Sequence, residues 1–265
     1  MVSVLRPGQR ILTIPGIGAQ TSRRAVGAVG NGLLNSLIAY WPLNEAAGAN
    51  DALDLHTNGL TLTQVDSPGA DIGKVFSTAR TFDGHEDYFT RTSEALLRIG
   101  DIDFTAAVWV FPIGLDTIKV ITGKRSTGVY EWQLIYYDLS GFWNFGASSD
   151  GGVGAGLHGV GAANFGTAQT NAWQLLIVSH DAAADLLSIS VNAGVPNTAA
   201  HAGGIYALDA PFQLGYYAGG FPFRGRIGPV AMWKSAAGGG GVLSSSQRSA
   251  LWNAGNGLAY ANFTT

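Results

Sequence analysis

The chain has 265 residues, among them 38 glycines and no cysteine, and its formal net charge is −3. The lack of cysteine excludes disulfides, zinc–thiolate sites and cysteine nucleophiles, and 15 basic residues spread over the whole chain provide no basic face for nucleic acid. No uncharged apolar run reaches the roughly 18 residues of a membrane span, so we expect no membrane partner. With 46% hydrophobic residues, the composition is that of one large folded domain or two small ones.

Residues 1–36 differ in composition from the rest of the chain. They contain four arginines and no acidic residue, so this N-terminal arm carries +4, which leaves −7 for the remainder of a chain whose net charge is −3. Two interpretations stay open: a flexible tail, since disorder concentrates at termini, or a segment that docks to a partner protein or a sister subunit. The residues expected to make such a contact are Arg6, Arg10, Ile11, Leu12, Ile14, Arg23 and Arg24.

From Leu37 onward, short apolar runs alternate with turn signals, a pattern typical of a β-sandwich or barrel. The run 103–111 becomes apolar on both faces, which predicts a central strand covered on each side. A glycine-rich loop is predicted over 151–166, and one helix over 247–253, with Ser244 among its candidate N-caps and Gly255 after its end. The other predicted strands are 38–43, 60–65, 79–83, 88–92, 117–122, 130–138, 142–147, 173–180, 186–192, 212–216 and 227–234.

Several segments occur in an order that is found in one family of β-sandwiches. They are Leu37-Ile38-Ala39-Tyr40-Trp41, Thr81-Phe82-Asp83-Gly84, Asp103-Phe104-Thr105, Ser190-Val191-Asn192, and the closing run from Phe223 to Trp233. Over residues 37–260 the sequence resembles the concanavalin A-like, laminin-G-type jelly-roll domains. The resemblance implies an all-β fold of two antiparallel sheets packed face to face, with rim loops that bind glycans or proteins in relatives. We therefore predict an arm over 1–36 and a jelly-roll domain with a short C-terminal helix over 37–265.

The residue patterns of the enzyme classes that we considered are absent. Hydrolases of this fold carry Glu-x-Asp-x-x-Glu on one strand, and neither that spacing nor G-x-S-x-G nor H-E-x-x-H occurs in this chain. The nearest acidic clusters, Glu86-Asp87 and Asp101-x-Asp103, lie at turns or strand starts, where acids serve local hydrogen bonds. The sequence therefore predicts a protein that is not an enzyme.

Aromatic residues are the candidates for glycan binding, because a flat ring packs on the C–H face of a sugar while nearby polar groups bond its hydroxyls. Most aromatic residues of a sandwich belong to its core, and the loop from Tyr216 to Phe223 is the least core-like of the aromatic segments. The predicted glycan-binding residues are Tyr136, Trp143, Tyr216, Tyr217, Phe221 and Phe223.

A calcium ligand at Asp54 is implied by the resemblance, since relatives hold the ion with loop oxygens. Relatives often place a second acid just after the glycine of the last strand motif, where this chain has Gly228-Pro229. We therefore predict no cofactor and keep calcium at Asp54 as the alternative.

A jelly roll that begins with a Leu-Ile-Ala-Tyr-Trp-like strand after a short arm resembles domains of tailed-bacteriophage virion proteins. The leading hypothesis is a non-enzymatic virion accessory protein, such as a capsid decoration, head fibre or tail appendage. Its arm would bind other virion proteins, and its lectin-like domain would face host-surface glycans at the virion surface. We expect a homo-oligomer. The alternatives are a free or cell-surface lectin outside the cell and, less favoured, a glycoside hydrolase.

Overall fold

A computed structural model describes residues 30–48, 50–216 and 220–265. Within these residues, antiparallel strands form two sheets. The first sheet contains, in spatial order, β13 (Asn197–Ala200), β12 (Leu186–Val191), β11 (Gln174–Asp181), β6 (Asp103–Pro112), β15 (Arg224–Ser235), β4 (Thr78–Asp83) and β3 (Gly69–Ile72), and β1 (Leu37–Trp41) also pairs with β15. The second contains β10 (Leu157–Gly161), β9 (Phe142–Ser148), β8 (Val129–Tyr137), β7 (Lys119–Ser126), β14 (Phe212–Leu214), β5 (Tyr88–Arg91) and β2 (Thr63–Val65). This architecture confirms the predicted all-β jelly-roll sandwich.

An inner hydrophobic layer fills the space between the two sheets. Its centre is Trp132, whose ring centroid lies 4.9 Å from that of Phe104 and 6.2 Å from that of Phe212. Trp41 stacks on Phe212 at 5.2 Å. Because successive strand residues point to opposite faces, alternate residues of each strand supply this layer.

An outer hydrophobic layer covers the other face of the first sheet. Ala107 and Trp109 of the central strand β6 point into it, while Phe104 and Val108 point into the inner layer. This placement confirms the predicted cover on both faces of that strand. The cover comes from helix α1 (Ser245–Trp252), whose Trp252 stacks on Trp109 at 5.4 Å, and from the C-terminal residues that follow the helix.

Residues 31–36, which the sequence analysis assigned to the arm, lie against the folded domain. Leu33 is fully buried in the outer layer, and its carbonyl accepts a hydrogen bond from Trp233 Nε1 at 2.8 Å. The Asn31 amide donates to the Asn262 carbonyl at 2.8 Å, and Leu34 N donates to the Thr264 carbonyl at 3.0 Å. Residues 31–36 therefore pack on the domain, although the sequence analysis placed them in the arm. The seven arm residues named above all fall within 1–29, outside the described residues.

Each predicted strand overlaps an observed one, and three observed strands were not predicted. These are β3, β10 and β13, and each is the last strand at one side of its sheet. β10 lies inside the stretch 151–166, so the prediction of a continuous loop there is wrong. An edge strand pairs on one side only and buries little, so its sequence shows no apolar alternation.

The predicted C-terminal helix is present and is capped as its serines indicate. The Ser244 side chain accepts a hydrogen bond from Gln247 N, and the Gln247 side chain bonds back to the Ser244 backbone in a capping box. At the other end, Asn253 rather than the predicted Gly255 takes the first left-handed position, at φ 47°. Within the described ranges, no helix has the length and apolar character needed to span a membrane.

Candidate functional site

Three chain segments that leave the sheets at the same end enclose a cleft at the surface of the domain. β15 begins at Arg224, which pairs with Asp83 at the end of β4, and Gly225 pairs with Pro112 at the end of β6. The loop after β4, the loop after β6 and the segment before β15 therefore meet at one rim. Their cleft has a volume of about 520 Å³. Its lining residues are Asp83, Gly84, His85, Gly114, Asp116, Lys119 and Arg224.

Two glycines make room for Arg224 in this cleft. A Cβ atom at Gly84 would lie 3.0 Å from the Arg224 Cβ, and one at Gly114 would lie 3.7 Å from its Cδ. Gly84 also has φ +87°, a conformation that favours glycine. The turn at Asp83-Gly84 thus reverses the chain and also leaves space for the Arg224 side chain.

The charged groups of the cleft differ in how their charges are matched. Lys119 Nζ lies 3.0 Å from Asp116 Oδ1, and this contact lowers the pKa of Asp116. Asp83 Oδ1 accepts a hydrogen bond from His85 N at 2.8 Å, a local turn contact. The Arg224 side chain is exposed and makes no hydrogen bond or ion pair with the described part of the chain. It is therefore free to bind a ligand.

A second cleft of about 430 Å³ continues from the first and shares Gly84 and His85 with it. Tyr216 lines this cleft, and its ring packs on that of Tyr88 at 5.3 Å, which holds it half-buried. The other lining residues are Asp66, Glu86, Gly220 and Pro222. The two clefts together present carboxylates, cations and one aromatic ring along a continuous surface.

The structure separates the predicted glycan-binding residues into two groups. Tyr136, Trp143 and Phe223 lie in the inner layer with 8%, 1% and 0% exposure, so their assignment as sugar platforms is wrong. Their side chains alternate inward along strands, and Trp143 Nε1 is bonded to Gln174 Oε1 at 3.0 Å. By contrast, Tyr216 lines the second cleft and Phe221 is exposed beside it. Tyr217 lies outside the described residues.

The surroundings of Asp54 do not fit a calcium site. Its Oδ1 accepts hydrogen bonds from Tyr40 N and His56 N, and its Oδ2 accepts one from Leu60 N, each at 2.9 Å. Both oxygens thus organise the loop after β1. Among the described residues, no group of three or more His, Asp or Glu side chains is placed to hold a metal ion.

Arg224, Asp116 and Lys119 were missed by the sequence analysis. Arg224 lies inside the closing run from Phe223 to Trp233, which was noted only for its likeness to a last strand. The turn at Asp83-Gly84 was the one local signal for this rim. The three segments converge because β4, β15 and β6 are neighbours in the first sheet, and the local sequence does not specify which strands become neighbours.

Comparison with known proteins places the fold. The sequence matches the family described as the concanavalin A-like lectin/glucanases superfamily over residues 83–239, and it matches no curated protein. Domain 4 of AbnA, a GH43 extracellular arabinanase from Geobacillus stearothermophilus solved with arabinotriose, has 16% identity and a TM-score of 0.59, covering 81% of this chain and 97% of that one.

Two toxin binding domains are similar at lower identity. The binding domain of Paraclostridial Mosquitocidal Protein 1 has 13% identity and a TM-score of 0.61, covering 83% of this chain and 52% of that one. The binding domain of Botulinum neurotoxin DC, solved with rat synaptotagmin II, has 11% identity and a TM-score of 0.58, covering 83% and 51%. This chain thus spans about half of each toxin domain, and such identities show the fold alone. The family match covers more than half of the sequence, and the chain belongs to the concanavalin A-like lectin/glucanase superfamily.

Proposed function

We propose that this protein is a non-catalytic carbohydrate-binding module whose glycan lies in the two connected rim clefts. The observation that carries the proposal is the unpaired Arg224 guanidinium in a cleft that also holds the carboxylates of Asp83 and Asp116. A cation with five N–H donors beside carboxylate acceptors matches sugar hydroxyls, which both donate and accept hydrogen bonds.

Tyr216 adds the apolar element of such a site. Its ring lines the second cleft and is held by Tyr88, so a bound sugar would meet a surface that needs little ordering. Rings that are already held lose less conformational freedom on binding. A chain of sugar units could therefore stack on Tyr216 while its neighbouring unit bonds to the Arg224 cleft.

Relatives of the same fold support this class of ligand. The AbnA domain was solved with arabinotriose, and cell entry of botulinum neurotoxin type C depends on interaction with two ganglioside molecules. These ligands belong to those proteins. For this chain they support a search among oligosaccharides, without indicating which sugar.

A glycan array with the full chain tests the proposal. Wild type should bind one class of glycan, and Arg224→Ala and Tyr216→Ala should each weaken that signal by about tenfold or more, since a charge-assisted hydrogen bond contributes roughly 1.5–3 kcal/mol. The matched controls are Arg98→Ala, which removes an arginine paired with Asp209, and Tyr206→Ala, which removes another exposed tyrosine. Absence of any wild-type signal, or equal losses in the controls, would overturn the assignment.

The non-catalytic part of the proposal has its own test. Incubation of purified protein with every glycan that it binds should release no new reducing ends. Turnover that Asp83→Asn or Asp116→Asn abolishes would show a hydrolase and contradict the proposal.

We further propose that residues 1–29 tether a homo-oligomer of this domain to a bacteriophage particle, so that the glycan site faces outward at the virion surface. The support is the resemblance noted above and the charge contrast between a +4 arm and a −7 remainder. Deletion of 1–29 should leave a folded β domain and abolish incorporation into particles. A truncated protein that still incorporates would contradict docking. A full chain that never incorporates would favour an extracellular lectin.

A further inference from the structure

A small cleft lies on the outer face of the first sheet, beside helix α1, with apolar walls formed by Leu186, Pro196 and Val242 and a row of polar groups at its base. Ser179 on β11 is the register partner of Ser188 on β12, and Ser188 is the register partner of Thr198 on β13. Partner residues of antiparallel strands point to the same face, so these three hydroxyls form a row across the sheet. All three line the cleft, whose volume is about 170 Å³.

Arg248 of helix α1 lies over this row and lines the same cleft. Its Nη1 donates to the Leu243 carbonyl at 2.7 Å, while its Nε is buried without a partner. No carboxylate of the described chain forms an ion pair with it. Burial lowers the pKa of Arg248, and no charged group offsets that effect.

Other buried cations of this protein are matched by their surroundings. Arg80 donates to three backbone carbonyls and is also stabilised by Glu45 and Asp87. Lys124 pairs with Glu131. A cation that is partly removed from water without a counter-charge is costly, so the Arg248 cleft has the electrostatics of a site whose anion comes from outside the chain.

Asp181 is the one acid that lines the cleft, and it opposes an incoming anion. Its Oδ1 accepts hydrogen bonds from Ala183 N at 3.1 Å and Ala184 N at 3.0 Å, so it organises the turn after β11. It makes no ion pair with Arg248. The carboxylate therefore lowers the affinity of the site for an anion and provides a variant with an effect of opposite sign.

We propose that this cleft binds a small oxyanion, held between the Arg248 guanidinium and the hydroxyl row. Ser179 Oγ and Ser188 Oγ are hydrogen-bonded to each other at 2.6 Å, so one of these two hydroxyls and that of Thr198 remain to donate to the anion. Guanidinium and hydroxyl donors together match the oxygens of a phosphate, sulfate or carboxylate group. The site is separate from the proposed glycan site, because the two lie towards opposite ends of β11. Asp181, at one end of this strand, lines the oxyanion cleft. Gln174, at the other end, pairs with Val110 of β6, two residues from the Pro112 that pairs with Gly225 at the rim of the glycan site. The inference therefore does not depend on the proposed function.

Thermal unfolding of the full chain tests the inference, with sodium phosphate, sulfate and acetate titrated separately against chloride at constant ionic strength. Wild type should show a saturable rise in Tm with at least one oxyanion, since a ligand that binds the folded state stabilises it. The oxyanion that saturates at the lowest concentration shows whether the cleft prefers a tetrahedral anion, such as phosphate or sulfate, or a planar carboxylate, such as acetate. Phosphate and sulfate also raise Tm without binding, so the informative quantity is the difference between wild type and variants.

Arg248→Gln should remove the saturable component, and Asp181→Asn should strengthen it several-fold by removing a like charge. Ser188→Ala keeps the cation and should weaken saturation, which provides a second readout if Arg248→Gln folds poorly. Arg98→Ala, which removes an arginine already paired with Asp209, should leave the response unchanged. A wild-type response no larger than that of chloride, or one that survives Arg248→Gln, would overturn the inference.

Discussion

The inner and outer hydrophobic layers of this protein are built in different ways. The inner layer takes alternate residues from strands of both sheets, with Trp132, Phe104 and Phe212 at its centre. The outer layer instead joins segments that are far apart in the chain, since Leu33, Leu251 and Phe263 all pack on the same face of the first sheet. Strand periodicity thus accounts for the inner layer and for the sheet side of the outer one, whereas the segments that cover that side come from residues near both ends of the described chain.

Strands β7 and β8 of the second sheet and the outer face of the first sheet also differ in how their charges are matched. Lys124 and Glu131 are fully buried and matched, because Lys124 Nζ donates to the Ala210 carbonyl at 2.7 Å and lies 3.6 Å from Glu131 Oε2. Glu131 in turn accepts hydrogen bonds from the backbone N–H groups of Ile99 and Leu208. On the outer face, Arg248 has no such partner. The comparison separates a charge that is matched within the protein from one that we propose is matched by a bound anion.

Removal of one member of the buried pair is expected to have the largest effect on stability. Lys124→Met should lower the free energy of unfolding by about 3–5 kcal/mol, because it leaves the Glu131 carboxylate buried without a counter-charge. Chemical denaturation measures this loss. Arg98→Met is the control, since it removes an exposed ion pair worth about 0–1 kcal/mol. Equal losses in the two variants would contradict the contrast between buried and surface charge.

A truncation in the outer layer should have an intermediate effect. Leu33→Ala should cost about 2 kcal/mol, near the low end for a buried leucine, because the short N-terminal segment can partly collapse onto the space. Chemical denaturation of this variant and of a protein lacking residues 1–29 gives the two free energies of unfolding. Their comparison shows where the folded domain begins. We expect the truncated protein to match wild type; if it loses as much stability as Leu33→Ala, the folded unit begins earlier in the chain.

A change of one pH unit should have the smallest effect on stability. Burial raises the pKa of Glu131 to about 7, in spite of the opposing charge of Lys124. The folded state then holds this proton more tightly than the unfolded state, so its contribution to stability falls as pH rises from the ordinary glutamate pKa towards 7 and is constant above it. The expected slope is about 1 kcal/mol per pH unit.

The difference in unfolding free energy between wild type and Glu131→Gln isolates this contribution, because other titrating groups cancel. A difference that does not change between pH 5 and 7 would show that Glu131 is ionised throughout that range in the folded protein. In that case burial would not shift the titration of Glu131 into this range, and the contrast between the buried pair and the surface charges would be weaker than we infer.

Local sequence predicted the elements that bury an apolar face and missed those that do not. The strand β6 was recognised because both of its faces are apolar, whereas β3, β10 and β13 lie at sheet edges, have only four or five residues each and show no apolar alternation. The same limit applied to the candidate site. Trp143 and Phe223 are aromatic residues of the kind that stack on sugars, but both are buried in the core. The residue type alone does not show whether an aromatic ring lies in the core or at a binding surface.

The sequence by itself determined the fold class, through the succession of its apolar runs and turns and the resemblance over residues 37–260. It also determined the capped C-terminal helix, because a helix cap follows from neighbours within a few residues. Only the tertiary structure decided which rings are buried, that residues 31–36 pack on the domain, and that in the described chain Arg224 has no side-chain hydrogen bond or ion pair and Arg248 has no ion pair. Those properties depend on which segments meet across the sheets. The physical reason is that burial and charge matching are set by contacts between residues far apart in the chain, such as Trp233 with Leu33.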